Sequence, residues 1–109
     1  VSTYPEKTCS IDKLVTNKAM VKLALNGQKT RQGRNGIYAY PGEVFELGGV
    51  RFRVTGLTQE RLGDMDDAAA KAEGYESLDA YKNLILSMHK GMQWNENAQV
   101  WVHHFERQS

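Results

Sequence analysis

Apolar residues recur at helical spacing at Ala19, Met20, Leu23 and Ala24, and further along the chain they switch to strict alternation. Thr16 stands ahead of the first stripe as an N-cap, and Gly27 after Asn26 supplies a left-handed stop, which predicts a helix over 17–26. Lys29 to Arg34 read as a short strand closed by an Asn35, Gly36 turn, and residues 37–40, IYAY, are again strand-like. Pro41 and Gly42 make a turn into a short strand from Val44 to Leu47, which Gly48 and Gly49 end. In residues 50–57, Val50, Phe52 and Val54 fall on one face and Arg51 and Arg53 on the other, the pattern of a half-buried antiparallel strand with a basic outer face.

The pattern then becomes helical. Asp64, Asp66 and Asp67 crowd a first turn, DAAAKAE continues it with strong helix formers, and Gly74 stops it after Glu73. Ser77 caps a further helix whose apolar stripe is Leu78, Tyr81, Leu84, Ile85 and Met88, ending at Gly91. Residues 99–106, QVWVHHFE, are rich in strand formers and are expected to close the sheet. The elements add up to a small α+β domain of about five strands and about three helices, behind an extended N-terminal lead-in spanning residues 1–13.

Charge adds an asymmetry that the net value of +1 conceals. Residues 1–53 carry nine basic and four acidic side chains (+5), and residues 54–109 carry five and nine (−4). Lys13, Lys18, Lys22, Lys29, Arg31 and Arg34 follow one another with no acid between Asp12 and Glu43, a local field of one sign suited to a polyanion or to solvent. A chain of 109 residues makes one domain burying roughly two thirds of its unfolded surface. A single cysteine, Cys9, excludes an intrachain disulfide, and His89, His103 and His104 lack partners at ligand spacing, so neither a metal nor another cofactor is expected. With no charged leader ahead of an apolar stretch and no apolar run of membrane-spanning length, a soluble cytoplasmic protein is expected.

The order of these elements carries a resemblance. Gly27, Lys29 and Arg34 fit a GxKxx(T/E)xR strand after a helix; Ala72, Glu73, Gly74 and Tyr75 close an acidic helix in EGY; Val100, Val102 and Phe105 lie in a terminal strand ending in FE. From about Leu14 to Glu106 the chain resembles the ASCH family of PUA-like domains, so residues 14–109 are read as that domain. The resemblance implies a small mixed β-barrel with flanking helices, and a cleft into which the lysine strand and the EGY helix end project. It also implies RNA or a modified nucleoside as partner. Some members are amidohydrolases that deacylate N4-acetylcytidine with a lysine, a threonine and a glutamate, and others are reported as ribonucleases.

Carried over residue by residue, the lysine is Lys29 and the glutamate Glu73, while Gln32 stands at the threonine's place. An amide donates and accepts hydrogen bonds but cannot act as a nucleophile, so the substitution favours binding over hydrolysis. A lysine acting as general base needs its pKa lowered by burial or by neighbouring cations such as Arg31 and Arg34, whereas a close Glu73 favours an ion pair. Arg34 can fork onto a phosphate or a base edge, with Lys29 and Arg31 adding charge and Arg51 and Arg53 extending the track. Tyr38, Tyr40, Tyr75 and Trp94 are candidates for stacking on unpaired bases. His103 and His104 point to opposite faces and are given no role. The expected function is binding of RNA or a nucleotide-like ligand in a basic cleft. The alternative is an amidohydrolase or ribonuclease using Lys29, Gln32 and Glu73.

Overall fold

Asn17, one residue beyond the expected cap, starts the first helix: its side-chain oxygen accepts from the amides of Ala19 and Met20, and α1 runs Lys18–Leu25. The computed structural model describes residues 4–88 and 94–108, so the expected stop at Gly91 and the residue His89 lie outside the described part. After α1 come β1 (Arg31–Arg34), β2 (Val44–Leu47) and β3 (Val50–Arg61), then α2 (Asp67–Glu73), α3 (Leu78–Met88) and β4 (Gln99–Arg107). Single 3-10 turns precede α1 at Ile11–Lys13 and follow β3 at Leu62–Asp64. None of the helices among the described residues is long and apolar enough to cross a membrane.

The strands form one four-stranded sheet in the order β1-β4-β3-β2, antiparallel throughout and curled into a half-barrel. The α+β small-barrel expectation holds. β3 outruns its expected end at residue 57 by four residues, because a bulge between Val54 and Gly56 resets its register and lets it pair with β4 up to Arg61 and Gln99. IYAY is not a strand. Its backbone finds other partners: the Ile37 carbonyl accepts from Thr8, the Tyr38 amide donates to His103, and the Tyr40 amide donates to the Glu43 carboxylate. β1 likewise begins at Arg31 rather than Lys29, since the Lys29 amide donates to Leu23 and the Thr30 amide to Ala72, both helical carbonyls.

Two apolar clusters support the sheet. The first gathers Leu14, Val15, Ala24 and Ala39 around Phe45, Phe52 and Phe105, whose rings contact one another at 5.6–5.8 Å between centroids. The second, made by Leu62, Met65, Ala70 and Tyr81, packs α2 and α3 against Val100 of β4. Val50, Phe52 and Val54 point inward and Arg51 and Arg53 outward, as their alternation predicts. In α3, Leu78, Tyr81 and Ile85 belong to this second cluster, while Leu84 stays 37% exposed.

Gly74 ends α2 in the left-handed region, at φ 112°, with its amide bonded back to Ala70 and Lys71. A Cβ there would lie 2.8 Å from Met20 Sδ and 3.1 Å from Leu23 Cδ1. Both constraints fall on the turn that aims Glu73. Gly74→Ala is therefore expected to lower stability by about 1–3 kcal/mol, measurable by urea unfolding; an unchanged midpoint would show that the turn relaxes freely.

Candidate functional site

Lys29 leaves the Gly27 turn pointing inward and is only 1% exposed. Its ammonium donates to the Arg31 carbonyl at 2.8 Å and to the backbone carbonyl of Glu73, the last residue of α2. That carbonyl belongs to the unpaired, electronegative end of the helix, where a cation is favoured twice over. Burial depresses the lysine's pKa to about 8, against the opposing pull of Glu73 and with smaller help from Arg34 and Arg31.

The Glu73 carboxylate, also 1% exposed, looks the other way. It accepts from Arg31 Nε at 2.8 Å and from the Gly33 amide at 3.0 Å. Arg31 then reaches Glu60 on β3 at 3.0 Å. The Lys29–Glu73 ion pair expected from sequence is thus replaced by a crossed arrangement, because the lysine meets the glutamate's backbone while the better-matched guanidinium takes its carboxylate. The carboxylate packs directly against Gly33, where a Cβ would meet Glu73 Oε2 at 3.6 Å, an ordinary contact distance.

Beside this buried group opens a pocket of about 460 Å³. Gln32, Gly33, Arg34 and Tyr38 form one wall, and Tyr75, Tyr81 and the side of α3 face them. Gln32 Nε2 donates to the Gly33 carbonyl at 3.2 Å, leaving its amide oxygen as an acceptor. Arg34 is held by the Leu14 carbonyl, through Nε at 3.2 Å and Nη2 at 2.7 Å, and lies over the Tyr38 ring with its guanidinium carbon 5.4 Å from the centroid. Burial raises the pKa of both Tyr75 and Tyr81, so the phenols stay protonated and the pocket gains no negative charge from them.

The other candidates lie elsewhere. Arg51 and Arg53 border a shallow groove of about 540 Å³ with Gly42, Val44 and Gln108, which shares no residue with the aromatic pocket. Trp94 packs edge-on against Tyr81 at 6.2 Å inside the second cluster, under the Lys82 ammonium. Tyr40 stacks on Tyr4 and donates its hydroxyl to the Pro5 carbonyl. No group of three or more metal-ligating side chains occurs among the described residues.

One residue assigned no role from sequence touches the site directly. His103 is fully buried, faces the Gln32 carbonyl through Nδ1 at 3.1 Å, and accepts the Tyr38 amide at Nε2 at 3.0 Å. Only the alternation of β4, which puts it on the same face as Phe105, pointed to it. His104, on the opposite face, is partly exposed and contacts Thr58 at 3.1 Å.

A curled antiparallel half-barrel with a glycine-containing edge strand tied to a helix end defines an α+β small-barrel domain, and solved structures place it more narrowly. The crystal structure of an ASCH domain from Lactobacillus crispatus superposes with a TM-score of 0.65 at 15% identity, covering 91% of this chain and 79% of that one. The crystal structure of protein EF3133 from Enterococcus faecalis, of the family model DUF984, superposes with a TM-score of 0.54 at 15% identity over 81% of this chain and 66% of that one. The chain has the ASCH-domain fold. No family model and no curated protein matches the sequence.

Replacing Lys29 tests the crossed arrangement. Lys29→Met keeps an unbranched, apolar stem but removes the ammonium and orphans two carbonyls, so stability at pH 7 is expected to fall by about 2 kcal/mol. Because the folded pKa, about 8, lies below the ordinary lysine value of 10.5, the unfolded chain holds the extra proton between these pH values. Wild-type stability must then rise relative to Lys29→Met from pH 8 to 10.5, at up to roughly 1.4 kcal/mol per pH unit. Parallel urea-unfolding curves for the two proteins across that range would refute the burial of the charge.

Proposed function

We propose that this protein is a member of the ASCH family that binds an unpaired base, in single-stranded RNA or in a free nucleotide, in the pocket between β1 and α3. The observation that carries the reading is the convergence of an amide, a guanidinium and two tyrosine rings, Gln32, Arg34, Tyr38 and Tyr75, on one cavity of about 460 Å³. Flat apolar rings suit a base, the free Gln32 oxygen suits an exocyclic amine, and Arg34 suits a phosphate or a base edge. Residues 1–13 are read as a lead-in to the domain and the protein as cytoplasmic.

A second reading, hydrolysis of an N4-acylated cytidine or of RNA, draws support from the buried lysine with its lowered pKa beside a glutamate. Against it, Lys29 and Glu73 are each 1% exposed, with their polar atoms already engaged, and neither borders the pocket. Gln32 provides no hydroxyl in their place.

Calorimetric titration with the four nucleoside monophosphates and with short single-stranded RNA checks the reading. Wild type is expected to bind at least one of them, Gln32→Ala and Tyr38→Ala to weaken it about tenfold each, and added salt to weaken the RNA more than the mononucleotide. Absence of binding to every probe at low salt overturns the proposal. Turnover of N4-acetylcytidine by wild type and not by Lys29→Ala or Glu73→Ala would establish the hydrolase instead.

A further inference from the structure

We infer that His103, as the neutral Nδ1–H tautomer, is the positioning residue that fastens the Tyr38 wall of the pocket to β1, and that its protonation releases that wall. The inference rests on the pocket reading above but concerns how the pocket keeps its shape.

The tautomer follows from the partners. The Tyr38 amide can only donate, so Nε2, 3.0 Å away, is the bare nitrogen. Nδ1 then carries the proton and donates to the Gln32 carbonyl at 3.1 Å. The imidazole therefore spans from β1 to the segment that enters from residue 37, and it joins the two pocket residues that precede and follow the Asn35, Gly36 turn. Its ring also meets the Tyr38 ring edge-on at 6.1 Å, which fixes the plane of the tyrosine under Arg34. A proton on Nε2 would set two N–H donors against each other, and the Tyr38 amide would lose its acceptor in a site closed to water.

The surroundings favour the neutral form. Desolvation acts first, and the imidazole is 0% exposed. The Gln32 carbonyl on β1, which accepts from Nδ1–H, opposes this most; the Arg34 charge, also on β1, adds to the desolvation, and the Trp101 backbone on β4 and the Glu73 carboxylate on α2 oppose it more weakly. On β3 the residue paired with His103 is Leu57, which contributes no charge. The folded pKa thus lies below the usual histidine value, so the latch is closed at neutral pH and opens as the pH falls through that lowered value.

Nitrogen-15 NMR of the free protein from pH 7.5 to 4.5, together with calorimetric binding of cytidine 5′-monophosphate, tests this. The expected result is an Nδ1–H tautomer for His103 at pH 7, with the Tyr38 amide resonance moving in step with its titration. Between pH 7 and 5 cytidine 5′-monophosphate affinity is expected to fall about tenfold more in wild type than in His103→Gln, which keeps an acceptor for Tyr38 but cannot titrate and so carries only the titration of the ligand's own phosphate. An Nε2–H tautomer, a Tyr38 amide indifferent to the titration, or equal pH dependence in both proteins overturns the inference. The wild-type spectra decide it even if His103→Gln does not fold. If cytidine 5′-monophosphate fails to bind at any pH while the spectra behave as expected, the latch stands and the choice of ligand is what fails.

Discussion

The crossed contacts between Lys29 and Glu73 determine how the two halves of this protein meet. One residue comes from the turn just before the edge strand and the other from the end of a helix more than forty residues later, and each satisfies groups that the other's element leaves open. An ammonium and a carboxylate this deeply buried are costly alone. Here each is matched by several partners, with Arg31 tying the carboxylate outward to Glu60. The arrangement is cooperative in the physical sense: deleting one member leaves a buried charge or carbonyl without compensation.

That inward commitment shapes what the surface can do. Lys29 and Glu73 look catalytic by residue type, yet their polar atoms are occupied by the fold. The groups left facing the cavity are their neighbours, Gln32 and Arg34 on the strand and Tyr75 just after the helix. Half of the motif therefore holds the pocket and the other half lines it. The basic run that dominates the first half of the sequence is similarly divided: Arg31 is neutralised internally, and Arg34 is anchored by the Leu14 carbonyl while keeping a face toward the cavity.

Much of this was legible in the sequence wherever a local rule dominates. The alternation of β3, the aspartate-rich start of α2, its glycine stop and the Ser77 cap all follow from short-range chemistry, and the structure agrees. IYAY failed because β-propensity cannot see that His103, Thr8 and Glu43 would supply its hydrogen bonds. The length of β3 was underread because a bulge leaves no clear mark in composition. In the site, Lys29 and Glu73 were found through a resemblance, but their crossed partners were not, since spacing cannot tell a backbone acceptor from a side-chain one. Arg51 and Arg53 looked continuous with Arg34 only along the chain; in space they border a different groove.

β1 stands at the margin of the sheet, and three of its outward groups are already claimed: the Arg31 carbonyl by Lys29, the Gly33 amide by Glu73, and the Gly33 carbonyl by the Gln32 side chain. Side chains of the protein itself thus stand where a neighbouring strand would dock. An extended peptide approaching this margin would have to displace those side chains before it could pair, which makes the strand a poor template for assembly. What remains accessible beside it is a cavity rather than an edge, and a cavity selects by shape and stacking. The same bonds that hold the helix in place thus also disfavour strand addition at this edge.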